Sequence, residues 1–171
     1  MKRTYLLAIV TLAITGSAAL AEGPVPESSD ALSVFEKDGE WTIYADASRN
    51  TCLAERVGVE GNVMQMGIMP NQTEAYVGVF TTGNVQIEPS QKIEIAVDGT
   101  IFTGQAHGLV SLGLSEQYHG GYVVSNNPDF VSAIANGREL IAFPNVTGAF
   151  MVDLTGTKHA IEEIKKCHAA Q

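Results

Sequence analysis

The stretch "QAHGLVSLGLSEQYHGGY" brings His107, Ser111, Ser115, Tyr118 and His119 within thirteen glycine-rich residues. Serine beside histidine suggests nucleophilic catalysis, which needs the base within hydrogen-bond reach and a carboxylate to orient it. The pattern lacks a GxSxG elbow: Ser111 has Gly113 after it but Leu109 and Val110 before it. No catalytic residue is assigned. His107, Ser111, Tyr118 and His119 are read instead as a candidate polar binding loop, with a small hydrolase or small-ligand site over residues 107–121 as the alternative function. That alternative requires convergence with a carboxylate such as Asp129 or Asp153.

Metal chemistry fits the spacing poorly. His159 and His168 are nine residues apart, which places them on opposite sides of a helix, whereas ligands at i and i+4 share a face. Met64, Met66 and Met69 in "NVMQMGIMP" could offer soft thioethers to Cu(I). Met64 and Met66, however, alternate with Ile68 on one strand face, as core residues do. Paired carboxylates for glycoside cleavage must converge to about 5–10 Å, and Asp46, Asp153 and Glu162–Glu163 show no such pattern. No metal and no cofactor is expected.

The two cysteines, Cys52 and Cys167, lie 115 positions apart and have neither a CxxC nor a Cys/His spacing. In an exported chain they are expected to form a disulfide. Export is read from "MKRTYLLAIVTLAITGSAALA", which has a basic start (Lys2, Arg3), an apolar run from Tyr5 to Ile14 and an Ala19-Leu20-Ala21 close. This is the plan of a secretory signal peptide over residues 1–21, cleaved after Ala21. The run is too short to span a bilayer, which takes about 20 apolar residues, so no transmembrane segment is expected. A periplasmic or secreted location follows.

The chain carries a formal charge of −9, which becomes −11 once Lys2 and Arg3 leave with the signal. Nucleic acid and anionic lipid select basic patches and are excluded as partners. Clustered acidity would point to a basic partner, and scattered acidity to solubility alone.

The elements that must position these residues are mostly short strands. Residues 22–31 read as a flexible lead-in, and 32–171 as one domain. A turn is expected at Lys37-Asp38-Gly39, then strands over Trp41–Tyr44, Cys52–Val59 and the two runs "NVMQMGIMP" and "EAYVGVFTT". In "QKIEIAVDGTIFTG" alternating isoleucines and valine flank an Asp98-Gly99 turn, a strong hairpin signal. "GGYVVSN", "RELIAF" and "GAFMVDL" complete the set. A short helix is expected near 128–137, stopped by Gly137. A C-terminal helix should turn Ala160, Ile161, Ile164, Cys167 and His168 inward, leave Glu162, Glu163, Lys165 and Lys166 outward or flanking that face, and take Thr155 or Thr157 as its cap. The fold class is mainly β: an antiparallel β-sandwich or flattened barrel with these two helices on one face or end.

The segments "WTIYADASRNTCLAE" and "FMVDLTGTKHAIEEIKKC" carry a further signal through Trp41, Cys52, Leu154, Gly156 and Ala160. Together they resemble small exported alphaproteobacterial proteins akin to the invasion-associated locus B family. In that family a Trp-led strand precedes a Cys-bearing one, and the chain closes with a strand, an L-x-G step and an alanine-bearing helix. This chain lacks the extra cysteines of the family's middle. The resemblance implies an exported β-rich domain with no catalytic residue to carry over. The function read from the sequence is therefore an exported accessory module that binds a protein partner rather than an enzyme.

Overall fold

The computed structural model describes residues 25–27, 29–58, 60–88, 91–105 and 118–171. The proposed signal peptide, His107 and Ser111 lie outside them. Among the described residues, ten strands and two helices form. They are β1 (Leu32–Asp38), β2 (Trp41–Asp46), β3 (Thr51–Val57), β4 (Val63–Ile68), β5 (Ala75–Thr81), β6 (Lys92–Val97), β7 (Thr100–Gln105) and β8 (His119–Ser125). Then come α1 (Pro128–Asn136), β9 (Glu139–Ala142), β10 (Phe150–Asp153) and α2 (Thr157–Ala169). Every pairing is antiparallel, in the order β1-β2-β3-β4-β5-β8-β7-β6-β9-β10. The order has two ends, so the described strands do not close into a barrel, and the sandwich expectation holds.

The sheet doubles over on one core. Ile43, Ala54, Met66 and Val79 from β2–β5 share a cluster with Ile93, Ile95, Phe102, Leu140 and Ala142 from β6, β7 and β9. Met64 and Met66 are buried in it, at 1% and 3% exposure, as their alternation required. Both helices cover this core. Phe130 and Ile134 anchor α1, and Ala160, Ile164 and Cys167 anchor α2. Cys167 bonds Cys52 of β3, with the Cα atoms 6.1 Å apart.

A second cluster, unanticipated from the sequence, lies on the opposite face of β3, β4, β5 and β8. Its members are Val25, Leu53, Val63, Met69, Tyr76, Phe80 and Tyr122. Rows run across four strands: Leu53–Gly67–Tyr76–Val124 and Glu55–Gln65–Gly78–Tyr122. Glycine is required in both rows, because a Cβ at Gly67 or Gly78 would collide with the Tyr76 or Tyr122 ring. Within the second row, the Tyr122 hydroxyl donates to Gln65 Oε1, and Gln65 Nε2 donates to Glu55 Oε2 at 2.6 Å. Burial pushes the Tyr122 phenol far above its ordinary pKa, so it remains a donor.

Several boundaries correct the sequence reading. β1 was not expected; its residues are exposed or half-buried, and it therefore lacks the alternation that marks a strand with a buried face. The turn expected at residues 37–39 falls at Gly39–Glu40, with Gly39 at φ +58°. Neither Thr155 nor Thr157 caps α2. Gly156 occupies that position at φ +84° without a side-chain cap, while the Thr157 hydroxyl donates to the Ile134 and Leu154 carbonyls. Glu163 points inward, where Lys166 Nζ pairs with it at 2.5 Å. Ile161 and His168 are only half-buried. Gly137 ends α1 at φ −69°, and glycine is needed there for space: a Cβ would lie 2.6 Å from the Ala133 carbonyl oxygen.

Candidate functional site

Among the residues expected to bind, Tyr118 is half-buried against the second cluster. His119 begins β8 opposite Thr81 and is exposed. The two carboxylates offered as partners lie on other elements. Asp129 lies in the first turn of α1, where its backbone N–H is held by Asn127. Asp153 ends β10, and its Oδ1 accepts from the Thr155 N–H and hydroxyl at 2.9 and 2.7 Å. No hydrogen bond or ion pair of the described residues joins Tyr118 or His119 to either carboxylate. His159 lies near three carboxylates, with Asp38 at 3.3 Å, Glu162 at 3.6 Å and Glu163 at 3.8 Å. Among the described residues, no group of three or more histidine, cysteine or acidic side chains is placed to hold a metal ion.

Two buried guanidinium groups were missed in the sequence reading, although an arginine inside an apolar strand or turn signals a paired charge. Arg49, in the β2–β3 turn, bonds Asp30 through Nε at 2.8 Å and Nη2 at 3.1 Å. Asp46 lies 3.6 Å from Arg49 Nε, and its Oδ1 accepts the N–H groups of Ser48 and Arg49. Burial first, and then the adjacent Asp30 carboxylate, push the Asp46 pKa up against these bonds. This cluster fastens Glu27 and Asp30 to the end of β2.

Arg56 of β3 fastens the other side. Its Nη1 donates to the carbonyls of Asp153 and Thr155, each at 3.1 Å, and its Nη2 reaches Asp153 Oδ2 at 3.2 Å and Glu40 at 2.7 Å. It lies 6.0 Å from the Trp41 ring centroid, and the Trp41 indole N–H donates to the Thr155 carbonyl. Hydrogen bonds from Thr155 first, with Arg56 adding to them, hold the Asp153 carboxyl below its ordinary range.

Arg56 thereby draws the end of β10 against the β3–β4 hairpin and leaves a cleft of about 320 Å³ between them. Arg56, Glu60, Met64, Met151, Val152 and Asp153 line it. β10 is the last strand of the sheet. The Leu154 N–H bonds the Arg138 carbonyl, so Val152 and Phe150, in the same phase, are the residues that bond β9. The N–H and C=O of Met151 and Asp153 point away from β9, and Arg56 takes the Asp153 carbonyl. Met151, an apolar side chain, is 62% exposed beside this edge. An edge of this kind can accept a further strand.

Other concavities offer less. A cavity of about 40 Å³ lies between Met66, Val77, Phe130, Ile134 and Ile164. A groove of about 490 Å³ runs between α1 and α2, past Val131, Ile161, Lys158 and Lys165. Neither adjoins unpaired strand backbone. No helix among the described residues is long and apolar enough to cross a membrane. No protein-family model matches the chain, and neither does any curated protein or solved structure.

Proposed function

We propose that the chain is an exported binding module that engages a protein partner by strand addition at β10. The observation that carries this reading is the outer edge of β10, where Met151 presents unpaired backbone beside an apolar-floored cleft. Main-chain bonds along such an edge supply affinity, and side-chain pockets supply selectivity. The Cys52–Cys167 disulfide supports an oxidising compartment. The signal-like start and the resemblance to the invasion-associated locus B family support a periplasmic or secreted location.

The test is capture from the native exported fraction with oxidised protein, comparing wild type with Met151→Pro. Proline removes the outward N–H and is tolerated on edge strands. The bonds to β9 are made by the alternate residues, so the variant should fold, which circular dichroism checks. A partner held by wild type and lost by Met151→Pro supports the reading. A partner held equally by both refutes it.

A further inference from the structure

Resting on that reading of β10, we infer that the occupant is a basic extended segment of the partner, added antiparallel with a Lys/Arg–apolar–apolar pattern. Charge around the edge carries the first part. Asp153 lies directly opposite Glu139 of β9, and both are exposed. They form a pair that makes no backbone bonds to each other, so their side chains come close, and like charges so placed repel. Exposed Glu60 lines the cleft, and exposed Glu40 meets Arg56. Four exposed carboxylates therefore lie along this edge and its cleft, against the one guanidinium of Arg56. That guanidinium is engaged by two carbonyls and two of these carboxylates. Arg138 is one residue out of phase with Glu139, so its side chain leaves from the other face of β9. The edge is acidic, as a basic occupant requires.

The pleat carries the second part. Met151 and Asp153 face outward, while Phe150 and Val152 are half-buried against the main core. A strand added antiparallel passes Asp153 before Met151. Its residue opposite Asp153 meets the carboxylate pair, so a lysine or arginine fits there. Two positions later it meets Met151 and Ile141, the β9 neighbour of Met151. The residue between them faces inward toward Met64 and Val152. That order is cation, apolar, apolar.

The probe is a synthetic heptapeptide with a central Lys-Val-Val run between serines, compared with its Glu-Val-Val counterpart. Binding is read from the Met151 methyl and amide NMR signals of the oxidised protein. The lysine peptide should shift both signals, more weakly at higher salt. The Glu60→Gln/Glu139→Gln double variant should bind it about fivefold more weakly, as two exposed ion pairs allow. Both carboxylates are exposed, so folding is not at issue. If the glutamate peptide shifts Met151 as strongly, or the double variant binds unchanged, the charge inference fails while strand addition survives. If neither peptide moves Met151, strand addition itself fails.

Discussion

Reducing the disulfide should remove a large part of the stability of this domain. The bond closes 115 residues, from β3 to the last turn of α2, and both cysteines are buried at 1% exposure or less. Loop-closure entropy for that length gives about 5 kcal/mol at 25 °C. A domain of this size is stable by about 5–15 kcal/mol, so the loss is a third or more. The assay is urea unfolding with and without reductant, paired with a Cys52→Ala/Cys167→Ala variant to avoid leaving buried thiols. Both should lower the midpoint, and the slope should rise as the unfolded chain expands. Native-state hydrogen exchange then separates two mechanisms. A staple acting on the unfolded ensemble lowers protection throughout the core, including β5 and β6. A loss below about 1 kcal/mol, or one confined to α2, would refute the entropic account and leave only fraying of the last helix.

Asp46→Asn should leave stability at pH 7 unchanged or raise it. Asn retains the oxygen that accepts from Ser48 and Arg49, and it removes a buried charge beside Asp30. Because the folded pKa of Asp46 is raised, its contribution is full at acid pH and is lost as pH rises through that raised value. The variant should therefore flatten the fall of the urea midpoint as pH rises above about 4; a loss above about 2 kcal/mol would contradict this. Gly78→Ala should cost about 2 kcal/mol by chemical denaturation, since the added Cβ meets the buried Tyr122 ring. Arg56→Leu should cost about 2 kcal/mol, chiefly from the Asp153 carbonyl left without its donor, while the Thr155 carbonyl keeps the Trp41 indole N–H. Exposure of Glu40 and Asp153 keeps the ionic share small. Raised hydrogen exchange near β10 would accompany it.

Features set by neighbouring residues could be read from the chain. The Asp98-Gly99 pair turns the β6–β7 hairpin at φ +44° and +87°. The stripe of Ala160, Ile164 and Cys167 faces the core, and the bridge to Cys52 forms. Features set by partners distant in sequence could not. β4 and β5 are buried on both faces, so Val63 and Phe80 belong to a second cluster, with Gln65 buried beside it, on a face that alternation assigns to solvent. Glu163 is buried on the same side of α2 as Ala160 and Cys167, three residues before it and four after, although its residue type points to solvent. The candidate site was the least legible. Met151 gains its meaning only from the pairing order, which places β10 at the end of the sheet, and Arg56 only from contacts 97 and 99 residues away. The histidine-rich stretch drew attention through residue types alone.

The central claim is that β10 receives a partner's strand, and amide exchange at Met151 in the captured complex tests it most directly. Strand addition predicts that the partner slows exchange of the Met151 amide at least about tenfold, with lesser effects elsewhere. Unchanged exchange at Met151, with protection appearing instead along the α1–α2 groove, would contradict it.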